Sequence, residues 1–349
     1  MYTYPGNIHV HSTYSDGSGG VEEIAGDAAA AGLSYVIITD HETLDGLSEE
    51  SIRHGVVVLV GAELNRLHSH YVALNLEKMI PSNTENPQQV IDRVNEAGGF
   101  GFIAHPFEKG SRYLEKGKAY PWKRWPVFRF QGLEIWNYSS HWRGRHPSLL
   151  ITLYWFFLNR SGAMDGPPRE AIQLWDCYNV HNGRVFGIGC SDAHAAPYNL
   201  GLFKVRVFPY RYIFSTINTY IVLEEKLSRS FGTAKKQILN ALRDGSCYIS
   251  FDSLHNGREF IYHASCGSSI VRMGGEADSR EEEITLHVKA PTGQSQIRLI
   301  RNGMLIETCA GPELQYHVRG PGVYRAEAYF CPSRGRPRPW IYSNPIFVR

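Results

Sequence analysis

The chain has 349 residues, 43% hydrophobic and 20% charged, which excludes a disordered polypeptide and leaves room for about two domains. Its 36 basic and 34 acidic residues leave a net charge of +2, excluding a strong field that would recruit nucleic acid or an anionic membrane. No run reaches the roughly 18 apolar residues of a spanning helix, MYTYPGNIHV lacks a basic n-region and an apolar h-region, and the six scattered cysteines form no CxxC; a cytoplasmic protein with reduced, mostly buried thiols is expected.

In chain order, Asn7–His11 reads as a strand and Val21–Ala31 as a helix closed by Gly32. Tyr35–Asp40, Val56–Glu63 and His70–Leu76 read as strands, and Pro87–Ala97 as a helix with Asn86 as N-cap and Pro87 at the first position. Strands follow at Phe100–Ala104, Leu133–Asn137 and Val185–Cys190, then a helix at Thr233–Arg243. Apolar strands separated by helices predict a mainly parallel sheet, open or closed into a barrel. The segment 107–180 reads as an insertion over one end of that sheet, and its greasiest run, Leu149–Leu158, as a buried helix. Beyond about residue 254 helical periodicity gives way to short alternating runs (Ile284–Val288, Ile297–Arg301, Tyr324–Tyr329) between NG, GP and PG turns, the pattern of a small all-β sandwich. The expected units are therefore 1–253 and 254–349, with 107–180 inserted in the first.

The chemistry-bearing residues fall at strand ends. His9 and His11 flank Val10, so on an extended strand both imidazoles share a face, and Asp16 follows in the next loop. Asp40 and His41 end the second strand, Glu63 the third; His70 opens another, His105 follows FGFIA, and Asp192 and His194 follow VFGIGC. Ligands of α/β folds bind at the carboxyl ends of strands, where these groups converge. Imidazoles and carboxylates without cysteine suit Zn²⁺, Mn²⁺ or Fe²⁺, and nine candidate ligands exceed the needs of one ion. A cluster of two or three ions, bridged by a carboxylate such as Glu63, would generate hydroxide from water near neutral pH and neutralise charge on a phosphoryl or acyl group. Each element alone has a bland explanation, such as a structural HxH or a turn-capping Asp-His; their joint placement at strand termini favours the metal site.

HVHSTYSDG, ITDHETLDG, GAELN, AHPF and GCSDAH, in this order, resemble the motifs of the PHP (polymerase and histidinol phosphatase) superfamily over roughly residues 7–250. The resemblance implies a distorted (β/α)7 TIM-like barrel with a metal cluster at its C-terminal mouth. It implies one ion on His9, His11, Glu63 and Asp192, a second on Glu63, His70 and His105, and a third on Asp16, His41 and His194. His68 lies on the same face as His70 and competes for its place, while His141 and His146 of the insertion are either further ligands or surface groups. Glu134 in GLEIWN is expected to support the site rather than ligate. The terminal WIYSNPIFV, with LIRNG and VYRAEAY, is similar to the β-sandwich tail of a PHP branch that includes a carbaryl hydrolase; the tail itself reads as a packing or oligomerisation module.

Lys109, Arg112, Arg143 and Arg145 sit in loops expected to overhang the metals, where guanidinium groups suit bidentate phosphate binding, although exposed cations of this kind are commonly just solvated. Trp122, Trp125, Trp136 and Trp142 either stack on a planar substrate or pack the insertion down. The leading expectation is a metal-dependent phosphoesterase in which Asp192 or His194 handles the proton. Small phosphomonoesters such as nucleotides fit it better than polymers, because the chain lacks a basic groove. A metal-dependent carbamate, ester or amide hydrolase is the alternative, and a non-catalytic metal-binding regulator a further one. No membrane or nucleic-acid partner is expected; a homo-oligomer is compatible.

Overall fold

The computed structural model describes residues 1–111, 117–145, 148–181, 183–200, 203–280 and 283–349. Two sheets build the first part of the chain. In one, Tyr2–Val10 lies between Tyr35–Ile38, its parallel neighbour, and Ile217–Leu223, its antiparallel one; Val56–Val60 and Ser51–Arg53 follow on the first side and Cys247–Phe251 on the second. In the other, Ala62–Leu64, Tyr71–Leu74, Phe100–Ile103, Gly132–Asn137 and Phe186–Cys190 lie side by side, the first two pairings antiparallel and the last two parallel. The sheets are thus mixed rather than mainly parallel, because Ile217–Leu223, Cys247–Phe251 and Tyr71–Leu74 enter antiparallel. The two sheets are joined near strand ends by two isolated parallel bridges, Val10 with Ala193 and His41 with Glu63, and among the described residues they form no continuous hydrogen-bonded ring.

Val56–Glu63, read as one strand, divides at Gly61, where a Cβ would stand 2.4 Å from the Ala73 carbonyl oxygen. The chain changes sheets there, and only glycine permits that approach. Ile8, Ile37, Leu59, Val72, Phe102 and Ile188, from six strands of both sheets, join one buried cluster with Ile238 and Leu242 of the helix Phe231–Arg243. The central strands are buried along their whole length, which requires cover on both faces. Helices Val21–Ala30 and Pro87–Glu96 supply part of it, the second capped by the Asn86 side chain as its sequence predicts.

The β-rich second part adds the four strands Ser269–Arg272, Ile261–Cys266, Ile284–Lys289 and Glu313–His317 as a separate sheet. Its alternating burial turns Tyr262, Ala264, Leu286 and Val288 inward onto Leu299, Tyr324, Ala326 and Trp340, forming the core of a two-sheet C-terminal region. The opposing sheet is not independent. Arg338–Ser343 pairs antiparallel with Cys247–Phe251, so the first sheet runs on into the C-terminal region as twelve strands.

Two further expectations are corrected. The helix Leu149–Phe157 forms, capped by Ser148, but it is not buried: Leu150 is 80% and Phe157 64% exposed, and of its residues only Thr152 is buried. An apolar run specifies a helix by its length and composition, but not whether a second layer lies above it. Of the six cysteines only Cys190 and Cys247 are buried, and all six are free thiols. Leu150→Ser should therefore leave stability within about 0.5 kcal/mol, whereas Phe102→Ala in the closed interior should cost about 3–5 kcal/mol in urea unfolding.

Candidate metal centre

The strand Tyr2–Val10 does not present His9 and His11 by simple alternation. The pairing with Tyr35–Ile38 slips between Ile8 and Val10, His9 takes a left-handed φ of 67°, and His11 lies just beyond the strand end. Both imidazoles still turn inward, with ring centroids 5.1 Å apart. His105 and Asp192 also have positive φ, 26° and 53°. Such conformations in non-glycine residues cost about 1–3 kcal/mol each and persist where surrounding contacts hold them. For His9 and His105 those contacts run to Glu134, whose carboxylate meets His9 Nδ1 at 2.6 Å, the His105 backbone N–H at 2.8 Å and the Asn137 amide at 3.0 Å. Asp40 performs the same service for the loop after His11, accepting from the Ser12 N–H at 2.7 Å and its hydroxyl at 2.6 Å.

Glu63 lies at the centre. Its Oε2 is 3.0 Å from His9 Nε2, 3.3 Å from His11 Nε2 and 3.2 Å from His41 Nδ1. Its Oε1 is 2.7 Å from His70 Nδ1 and 3.3 Å from His105 Nε2. Asp192 Oδ1 stands 3.4 Å from both His9 Nε2 and His11 Nε2. On the open side, Asp16 reaches His194 Nε2 at 3.3 Å and His41 Nε2 at 3.6 Å, and the His194 ring stacks on His11 at 4.0 Å. All nine expected ligands are therefore brought together. Among the described residues donor atoms converge in four groups: His11, Asp16, His41 and His194; His9, Glu63 and His105; His9, His11 and Asp192; and His9, Glu134 and Cys190.

The hydrogen bonds test whether cations belong there. His9 gives its Nδ1 proton to Glu134, which leaves the Nε2 lone pair facing Glu63 and Asp192. His70 Nε2 lies 3.1 Å from the Arg66 carbonyl, a bond only an N–H can make, so the neutral ring has its Nδ1 lone pair against Glu63 Oε1. Acceptor faces acceptor in both cases. The Nε2 atoms of His9 and His11 and Nδ1 of His41 are buried without a hydrogen-bond partner. Such an arrangement asks for a positive charge at each junction, either a proton or a metal ion.

The charge balance agrees. Burial presses His11 and His105 down, but the facing carboxylates, Asp192 and Glu63 for His11 and Glu63 and Glu108 for His105, outweigh it and lift each to about 9. Burial opposes the charge on His9 too, yet Glu134, Glu63 and Asp192 hold it well above the usual imidazole value. Glu63 and Asp192 are buried, which favours their neutral forms, and are nonetheless held well below the usual carboxylate range by the facing imidazoles. His41, lacking comparable support, falls to about 3 through burial. Positive charge is thus favoured beside Glu63 and Asp192, and metal binding there would compete with protons on His9, His11 and His105.

His70, not His68, occupies the cluster: His68 Nδ1 turns to the Ser69 hydroxyl at 3.2 Å. His141 bonds Asp165 at 3.1 Å, outside the cluster. A cleft of about 450 Å³ opens over Asp16, Glu63, His70, Asp192 and His194, and Arg143 lines it, as does Trp142. Lys109 and Arg145 do not; they pair with Glu170 at 3.1 Å and Asp165 at 2.7 Å around a neighbouring cavity of about 350 Å³. Arg112 and His146 lie outside the described residues. Trp136 packs on Phe251 and Tyr342, and Trp122 and Trp125 pack together beside Tyr178. Sequence reasoning missed Arg66, Glu108, Lys118 and Tyr120 in the cleft lining; Glu108, three residues after His105, was the one with a usable signal.

Comparison with known proteins agrees with this geometry. Residues 7–125 match the family model of the PHP domain. Over that stretch the chain is similar to a PHP domain. Over 85 residues it is 32% identical to a 5'-3' exoribonuclease of Haemophilus influenzae and 34% identical to a phosphoribosyl 1,2-cyclic phosphate 1,2-diphosphodiesterase of Eggerthella lenta, in each case 22% of this chain. Those matches cover 31% and 32% of the relatives, so the chain spans about a third of the length of the curated relatives it matches. A two-domain protein from Bacteroides vulgatus containing a predicted PHP-like metal-dependent phosphoesterase aligns over 97% of this chain and 94% of its own, at 17% identity and a TM-score of 0.44. The PHP match ends at residue 125, before Glu134, Asp192 and His194, so the contacts described above are what tie those residues to the centre. Glu134→Ala, which strips the partner from His9 and the His105 N–H, should cost about 3–5 kcal/mol in urea unfolding of the metal-free protein.

Proposed function

We propose that the chain is a metal-dependent phosphoesterase acting on small phosphomonoesters such as nucleotides. The observation that carries this reading is Glu63, a buried carboxylate against which five imidazole nitrogens converge, two of them with their protons already committed elsewhere. His9, His11, Glu63 and Asp192 would hold one ion, Glu63, His70 and His105 a second, and Asp16, His41 and His194 a third. His11 stands between the first and third sets, since its Nδ1 lies 3.6 Å from Asp16. Two or three Zn²⁺, Mn²⁺ or Fe²⁺ ions held there would supply Lewis-acid activation of water and neutralisation of phosphoryl charge.

Water adds to phosphorus, the bond to the ester oxygen breaks, and the departing alcohol needs a proton. Asp192, at the floor of the cleft, would accept the proton from water at an Oδ, and His194, more exposed and oriented through Nδ1 by the Asp192 backbone carbonyl at 3.1 Å, would deliver one to the leaving oxygen. Arg143 would bind phosphoryl oxygens from the cleft wall. We assign the hydrolase to residues 1–253 with the insertion 107–180, its distorted barrel closing at the two bridges, and residues 254–349 to a packing or oligomerisation module. A second reading keeps the ions and changes the electrophile to a carbamate, ester or amide carbonyl. It is favoured by Arg66, the other guanidinium in the cleft lining, already lying 3.6 Å from the Asp16 carboxylate.

Protein reconstituted with Mn²⁺, Zn²⁺ or Fe²⁺ should hydrolyse phosphomonoesters in preference to diesters and aryl carbamates, and Asp192→Asn should reduce turnover by about 10²–10⁴-fold. Turnover of carbonyl substrates alone would replace the phosphoesterase reading with the second one. Independently, saturating metal at 100 times its Kd should raise stability by about 2.7 kcal/mol, an increment abolished by chelator and absent in Glu63→Gln. Equal unfolding midpoints with and without metal would remove the metal site itself.

A further inference from the structure

Glu108 belongs to neither the motif ligands nor any expected substrate group, yet it is buried at the boundary between the metal centre and the cleft, and it lines the cavities on both sides. Its Oε2 stands 3.4 Å from His105 Nδ1 and accepts the Tyr120 backbone N–H at 3.2 Å. Its Oε1 lies 2.9 Å from Arg143 Nη1. The His105 ring faces Glu63 through its other nitrogen, so Glu108 sits behind a nitrogen whose partner atom points into the metal cluster. Arg143 in turn reaches the Lys118 carbonyl at 3.0 Å and lies over the Tyr120 ring, which itself packs against His70 at 5.1 Å.

We propose that Glu108 is a positioning residue that serves both partners, orienting His105 toward the metals and holding the Arg143 guanidinium in the cleft as an oxyanion receptor. The inference rests on the metal-site reading and extends it to a residue outside the motifs. A carboxylate behind a ligating imidazole fixes the ring and raises its basicity, and losing such a partner typically costs 10–100-fold in metal affinity. The same carboxylate supplies the planar, bidentate-capable Arg143 with a counter-charge that spares it a buried, unpaired state. Metal binding and anion binding thereby share one buried group.

The test uses the full chain with two probes, Zn²⁺ measured by chelator competition and inorganic phosphate titrated into the Zn²⁺-saturated protein. Glu108→Gln, which keeps the shape and removes the charge, should weaken Zn²⁺ binding by about 10–100-fold. Its phosphate affinity should also drop, and the visible absorption of the Co²⁺-substituted protein should change, as a merely structural role would not require. Arg143→Ala should lower phosphate affinity by about 10-fold or more while leaving Zn²⁺ affinity and the Co²⁺ spectrum as in the parent. In Glu108→Gln/Arg143→Ala, phosphate affinity should fall no further than in Arg143→Ala, because both act through one guanidinium. A folded Glu108→Gln protein with parental Zn²⁺ and phosphate affinities would overturn the proposal while leaving the metal site standing. If Glu108→Gln does not fold, Arg143→Ala decides, and unchanged phosphate binding there also overturns it. A parent protein that binds no Zn²⁺ would remove both the proposal and the function on which it rests.

Discussion

The attraction between one buried carboxylate and the imidazoles around it is the constraint on which the rest of this structure depends. Glu63 has almost no contact with solvent, and a bare carboxylate there would be prohibitively costly to ionise. It stays ionised because His9, His11, His41, His70 and His105 approach both of its oxygens. Those five rings come from four different segments of the chain, so satisfying one charge requires both sheets to close around it. The bridge between His41 and Glu63 places the junction of the sheets at that very residue. Electrostatics and topology are solved together, and the left-handed backbone at His9, His105 and Asp192 is the local cost of the solution.

Around that centre the support is graded by distance from the cleft. Glu134 and Asp40 stand behind the first ring of side chains and fix backbone as well as imidazole, which is why neither is replaceable by a simple space-filler. Farther out, the insertion contributes Glu108, Tyr120, Trp142 and Arg143 to the cleft while its helix Leu149–Phe157 remains outside, touching the interior chiefly through Phe156 on Trp142 and Phe208. The insertion is tied down from the other side as well. Arg325 of the strand Gly322–Phe330 binds Asp176 of the helix Arg169–His181 through two nitrogens at 2.8 and 2.9 Å, and Arg338 caps the carbonyls of Ser161 and Met164.

Much of the centre was legible in the sequence because its ligands are tied to strand ends, and strand ends are marked by short apolar runs followed by polar residues. The nine candidate ligands were found on that basis and lie within one site. What was not legible depended on geometry rather than on composition. His68 and His70 share an alternation pattern, and the turn at Ser69, with φ of 56°, separates them. Lys109 and Arg145 looked equivalent to Arg143, and only the three-dimensional course of the insertion sends them to another cavity. Ile217–Leu223 and Cys247–Phe251 are as apolar as the strands that were recognised, but their antiparallel pairing joins residues far apart in sequence and leaves no local mark. The exposed face of Leu149–Phe157 was unreadable for the same reason: burial is a property of neighbours.

The pairing of Cys247–Phe251 with Arg338–Ser343 bears on how the chain can be divided. A break after residue 253 looks natural in composition, since helical texture ends there, yet it would strip a central strand of its neighbour and leave a row of open amides and carbonyls beside buried Tyr248 and Tyr220. A fragment cut at that point would carry an adhesive edge next to the fold that houses the metal centre. Proteolytic trimming, domain shuffling or recombinant dissection would therefore meet resistance at a boundary that the alphabet of the chain advertises as open.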